Sequence, residues 1–172
     1  IGLGNVGDHY KWTKHNAGFW VIDEFARRKK LAFNPGESEY VFAKHKSKQA
    51  LLVKPTTGMN QSGIAVKAII GKYELLISDI CILTDDVDLP LGSIRIRPKG
   101  GDGCHKGLEN IIYNLKSNAF PRIRLGIAGG DYKRPSEKYV MKPFNDEMSL
   151  DAKIMVNRAA DAMQSIITRG LN

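Results

Sequence analysis

Residues Ile1 to Gly18, IGLGNVGDHYKWTKHNAG, decide how this chain is read. An apolar start runs into a glycine-rich turn that presents Asn5, and His15 follows between Lys14 and Asn16. Gly2, Gly4 and Gly7 match G-x-G-x-x-G, the dinucleotide fingerprint. That fingerprint requires a helix to open within the glycines, so that its N-terminus faces a pyrophosphate. Here the third glycine leads into Asp8-His9-Tyr10-Lys11-Trp12-Thr13, which has no helical apolar face, and apolar periodicity starts only near Ala17. Asp23 and Glu24 then fall inside that helix rather than at the end of a second strand. The stretch therefore predicts a strand end, a glycine turn, a polar loop carrying His15, and a helix. A glycine turn beside an ordinary loop histidine is the plainer alternative to a site.

Outward from this stretch, composition sets bounds. A chain of 172 residues is expected to form one domain, residues 1–172, long enough to bury a core. Its first strand reads as cut short at Ile1, so an upstream targeting segment is not judged. No apolar run approaches the roughly 18 residues of a transmembrane helix, so no membrane partner is expected. Cys81 and Cys104 are far apart and lack metal-ligand spacing, which suits a reducing compartment. The net charge of +8 favours a polyanionic partner, with nucleic acid ahead of membrane because no basic amphipathic helix stands out. Charge for solubility alone is the plainer reading.

Taken in order, Ala17 to Lys30 reads as a helix with Val21/Phe25 and Ile22/Ala26 as i, i+4 pairs and a basic C-terminus. Asn34-Pro35-Gly36 reads as a turn, and Tyr40 to Lys46 and Ala50 to Lys54 as strands joined by Ser47-Lys48-Gln49. Pro55 to Gly63 is a polar loop, and Ile64 to Tyr73 a helix. Ile80 to Thr84 is an apolar run expected as a buried central strand. It delivers Asp85-Asp86-Val87-Asp88. Three acids in four residues suggest a cation, but the next turn supplies no further ligand and EF-hand spacing is absent, so no metal is expected. Ser93 to Arg97 alternates as a half-buried strand with Arg95 and Arg97 on one face. Lys99 to Gly107 is glycine-rich enough for close backbone approach to a ligand. Leu108 to Leu115 is helical, and Pro121 to Ala128 is a strand showing Arg122 and Arg124. Gly129 to Tyr139 reads as a polar loop. Asp146 to Arg169 is a long amphipathic helix with Leu150, Ile154, Met155, Ala159, Met163 and Ile167 as its stripe.

This order predicts an α/β fold with a central mixed, mostly parallel β-sheet flanked by helices. Ligands in such folds bind beyond the carboxyl ends of the strands. Asn5, Asn60, Asp85 and His105 each follow a predicted strand end closely, and His15 shares a loop with Asn5. One sheet edge should therefore gather a histidine base, an orienting acid and amide donors, which suits acyl chemistry on an ester or amide.

Six stretches in order carry a resemblance: GLGNVG (Gly2 to Gly7), KHNAG (Lys14 to Gly18), PTTGMNQSG (Pro55 to Gly63), DDVDLPLG (Asp85 to Gly92), GGDGCHKGL (Gly100 to Leu108) and RIRLGI (Arg122 to Ile127). Each is weak alone; together, over nearly the whole chain, they are specific. The chain resembles the bacterial-type peptidyl-tRNA hydrolases. The resemblance implies a single α/β domain that hydrolyses the ester between a peptide and the 3′ ribose of tRNA, without cofactor, as a cytoplasmic monomer with peptidyl-tRNA as its partner. An organellar address stays open because the N-terminus reads as missing. By the same resemblance His15 is the base that activates water, and Asp85 the acid that orients it. Asn5, Tyr10, Met59, Asn60, His105 and Lys106 contact substrate, and Arg97 with Arg124 clamp the tRNA 5′ phosphate.

Three positions depart from the family pattern. Val6 replaces proline, Gly58 replaces a bulky aromatic, and Lys106 replaces the asparagine after the histidine. Three other readings stand beside the main one: a catalytically weak RNA-binding relative such as the intron-splicing homologue, a hydrolase of another ester or amide, and Cys104 as a nucleophile beside His105.

Overall fold

The computed structural model describes residues 1–45, 50–130, 132 and 135–171. In chain order these form helix α1 (Ala17–Lys29), strands β1 (Asn34–Pro35), β2 (Tyr40–His45) and β3 (Ala50–Pro55), and helix α2 (Ser62–Tyr73). Strands β4 (Ile82–Pro90) and β5 (Ile94–Arg97), helix α3 (Lys106–Leu115), strand β6 (Arg122–Ala128) and helices α4 (Glu137–Val140) and α5 (Asp146–Arg169) follow. The expected connection Ser47-Lys48-Gln49, with Lys46, lies outside the described residues.

Ile1 to Leu3 sit at the centre. The strands fall into two groups, β1-β2-β3 and β4-β6-β5. Gly2 N–H donates to the Val53 carbonyl of β3 at 3.0 Å, and Leu3 N–H donates to the Leu83 carbonyl of β4 at 2.9 Å, so the opening residues stitch the two groups together. The Gly2–Leu83 bridge is parallel. The mixed sheet is as expected, but its balance differs from the expectation. Among the described residues only β4–β6 is a parallel strand pair, whereas β1–β2, β2–β3 and β5–β6 are antiparallel. Short links explain this: β2 to β3 and β4 to β5 leave no room for a crossover helix, and such links join antiparallel neighbours or skip a strand.

Helices cover both faces. On one side Val21, Ile22 and Phe25 of α1 pack with Leu83, Ile123 and Leu125 of the sheet and Met155, Ala159 and Met163 of α5. On the other, Val66 of α2 and Leu108 and Ile111 of α3 pack with Leu3, Ile82 and Phe120. Each fully buried side chain of this size stabilises the fold by roughly 1.5–3 kcal/mol. Gly18 sets how closely α1 approaches. A Cβ there would lie 2.5 Å from the Leu3 nitrogen and the Leu83 carbonyl oxygen, so only glycine lets the helix start rest on the strands. That contact presses the loop carrying His15 against the sheet edge.

Four local expectations change. Asn34 and Pro35 pair with β2 rather than forming a free turn. Strand β4 continues through Asp85 to Pro90 instead of ending at Thr84, with a register shift between Asp86 and Pro90. A short helix, α4, begins inside the segment expected as loop. In α5, Leu150 and Ile154 are 63% and 39% exposed. They lie more than about a quarter-turn round the helix from Met155, away from the buried arc of Ala152, Ala159 and Met163.

Candidate active site

Strand β4 carries Asp85 opposite Leu125 of β6, just before the β4–β6 register breaks after Asp86. The Asp85 side chain is 2% exposed. A 3-10 turn, Lys14–Asn16, leads into α1 and carries His15 over that carboxylate. His15 Nδ1 lies 3.0 Å from both Asp85 oxygens. An ionised carboxylate only accepts, so Nδ1 bears the proton and Nε2 keeps its lone pair. His15 lines a cleft of about 770 Å³, and Nε2 is the ring nitrogen left to serve it. Burial lowers the His15 pKa, the Asp85 charge and hydrogen bond raise it, and the sum is upward from the ordinary 6.5. Burial pushes Asp85 upward, but the two neighbouring histidines with their hydrogen bonds hold it well below the usual carboxylate range.

The second histidine is His105, at the N-cap of α3. Its Nε2 lies 3.0 Å from Asp85 Oδ1, and its Nδ1 accepts from the Gly107 and Leu108 amides at 3.1 and 3.2 Å. Both ring nitrogens are thus committed inside the protein. His15, Asp85 and His105 offer ligand atoms within 4.8 Å of one another. A cation among them would have to displace both N–H···O bonds to Asp85, so their present bonding is that of a proton-handling group.

Amide groups complete the wall. Asn16 donates to the Asn5 carbonyl at 2.9 Å and accepts from the Asn5 N–H at 2.8 Å, locking the glycine turn to the His15 turn. Asn5 Oδ1 accepts from the Met59 N–H at 2.9 Å, which leaves the Asn5 NH₂ as the donor for the cleft. Met59 and Asn60 line the same cleft, Met59 buried and Asn60 exposed. Half-buried Tyr10, from a 3-10 turn, lines it as well.

The basic side of the cleft comes from β5 and β6. Arg95 pairs with Arg124 and Arg97 with Arg122 across the antiparallel ladder, so the four arginines share one face. They are not equivalent. Arg122 is 1% exposed and donates to the Gly101 and Asn118 carbonyls at 2.8 and 3.0 Å, bracing the glycine-rich loop. Arg124 forms an ion pair with Asp86. Arg97 is exposed and lines the cleft. Lys106, the first residue of α3, also lines it, and bonds Glu109 at 3.0 Å with a side chain 63% exposed.

All ten residues singled out from the sequence therefore line one cleft. Sequence reasoning missed Asn16, Asp86 and the structural use of Arg122. Asn16 carried a signal in its place beside His15; Asp86 and Arg122 carried none beyond their strands.

A histidine bound to a carboxylate through one nitrogen, in a cleft also lined by side-chain amides, can take a proton from water while an amide stabilises an oxyanion. That is the equipment of a general-base hydrolase acting on an ester or amide. The chain belongs to the peptidyl-tRNA hydrolase family, whose model matches residues 1–172. It is 42% identical over 162 residues to the peptidyl-tRNA hydrolase of Hydrogenobaculum sp. (strain Y04AAS1), an alignment covering 94% of this chain and 86% of that one. It is 40% identical over 170 residues to that of Geobacillus thermodenitrificans, covering 98% and 91%. Among solved structures, peptidyl-tRNA hydrolase from Acinetobacter baumannii superposes with a TM-score of 0.90 at 27% identity, covering 98% of this chain and 87% of that one. Among the described residues no helix is long and apolar enough to cross a membrane.

Proposed function

We propose that this protein hydrolyses the ester between a peptide and the 3′ ribose of tRNA, releasing both for reuse in translation. The observation that carries the proposal is the His15–Asp85 pair facing a cleft whose far side is basic, in a chain of this family. Nε2 of His15 takes a proton from a water as its oxygen attacks the ester carbonyl. Asp85 holds the ring in the tautomer that leaves Nε2 unprotonated and stabilises the imidazolium that forms. The Asn5 NH₂ donates to the developing oxyanion, and Asn60 holds the peptide backbone and the water. Collapse of the tetrahedral intermediate breaks the bond to the ribose oxygen, which receives the proton from His15.

Tyr10 and Met59 shape the wall along which the peptide and terminal nucleotide lie. Arg97 and Arg124 grip the 5′ phosphate, with the phosphate taking over the place of Asp86 at Arg124. Lys106 reaches toward the acceptor end of the tRNA. A single chain supplies the whole set, which supports action as a monomer, in the cytoplasm where translation runs.

The test is incubation with N-acetylaminoacyl-tRNA and with free aminoacyl-tRNA. Cleavage of the acylated substrate alone is expected. Binding of tRNA with neither ester cut would instead support a catalytically weak RNA-binding protein.

A further inference from the structure

We infer that His105 is a positioning residue for the His15–Asp85 pair, tying the orientation of the Asp85 carboxylate to helix α3, rather than a contact for substrate. The inference deepens the proposed function and rests on it for its kinetic readout.

The hydrogen bonds decide the ring's state. Nδ1 accepts from two backbone amides, Gly107 at 3.1 Å and Leu108 at 3.2 Å, so it bears no proton. The ring proton therefore sits on Nε2 and is donated to Asp85 Oδ1 at 3.0 Å. A ring that spends one nitrogen on capping its helix and the other on Asp85 has none left for substrate. Its side chain is 8% exposed, which agrees.

The consequence falls on Asp85. Its carboxyl torsion is an sp³–sp² bond with a broad energy well, so the backbone alone fixes it weakly. His15 Nδ1 stands at 3.0 Å from each oxygen and does not choose between them. The bond from His105 does choose, because it engages Oδ1. The two imidazole rings also pack with centroids 4.8 Å apart, so neither can swing without moving the other. On the opposite side of His105 there is no slack. A Cβ at Gly107 would meet Met59 Sδ at 2.7 Å and His105 Cε1 at 3.0 Å. A rigid chain thus runs from the first turn of α3 through His105 and Asp85 to the base, and preorganises the site.

Two substitutions separate capping from positioning. In His105→Asn the amide oxygen falls near the position of Nδ1, which keeps the cap, but the side chain stops short of Asp85. In His105→Gln the amide nitrogen reaches the position of Nε2, which keeps the donor and gives up the cap. With the full chain and N-acetylaminoacyl-tRNA, the Asn variant is expected to lose about tenfold or more in kcat, with KM within about twofold and Tm close to that of the parent. The Gln variant is expected to recover most of kcat while its Tm falls. The His15 Nδ1–H proton resonance, protected from exchange by its bond to Asp85, should be lost in the Asn variant and present in the Gln variant. An Asn variant with parental kcat, or one that raises KM alone, overturns the inference, as does a Gln variant no better than Asn. If the parent protein leaves the substrate intact, the proposed function fails, and the resonance still decides the role of His105.

Discussion

His15 is pulled in two directions, and the balance sets its working range. Burial favours the neutral ring, the Asp85 carboxylate favours the charged one, and the carboxylate wins. A base works only unprotonated, so a pKa raised above 6.5 puts the acid limb of the kcat/KM profile above pH 6.5. Asp85→Asn removes the upward pull and leaves the burial. The limb should then move toward lower pH while kcat falls by about tenfold or more, and a pH series on both proteins checks it. A limb that stays in place would detach Asp85 from the base. Lys106 is one of the three departures from the family pattern read in the sequence. Its ion pair with Glu109 is exposed and spans a single helical turn, so it competes weakly with a nucleic acid phosphate. Lys106→Ala should raise KM more at low salt than at high, with kcat nearly unchanged.

At the scale of elements, the β5–β6 ladder makes the basic wall and divides its arginines by burial. Arg122 braces the loop, Arg124 is balanced by Asp86, and Arg97 stands in the cleft. Arg97→Ala and Arg124→Ala should each raise KM and reduce the salt dependence of tRNA binding by about one phosphate contact. Substrate lacking the 5′ phosphate should show little further loss in either variant; an unchanged preference for the phosphate would remove the clamp.

This division was hidden in the sequence, because alternation along a strand assigns a face but not the depth reached on it. Most strand ends other than that of β4, by contrast, were legible. The carboxyl-edge rule brought Asn5, Asn60, Asp85 and His105 together before any coordinates, since polar, glycine-containing or acidic stretches follow the apolar runs. The rule failed where geometry is set by distant partners. Strand β4 runs on through its acids because β6 pairs with it, and Leu150 and Ile154 face outward because α5 meets the core along a narrow arc. The partners of His105 were equally invisible: nothing in GGDGCHKGL says that the histidine caps its own helix.

The whole molecule joins a proton-handling edge to a positively charged body. A net charge of +8 favours attraction of a polyanion without reading its sequence, and the small set around His15 and its Asp85 carboxylate does the chemistry once the ester arrives. The two parts should therefore separate under mutation. The most direct measurement is single-turnover cleavage of N-acetylaminoacyl-tRNA by His15→Ala at saturating enzyme, with tRNA affinity measured on the same protein. The account predicts a rate at least roughly a hundredfold below the parent with affinity retained. A His15→Ala protein that cleaves at close to the parental rate would contradict it, because the charge would then serve a hydrolysis that His15 does not drive.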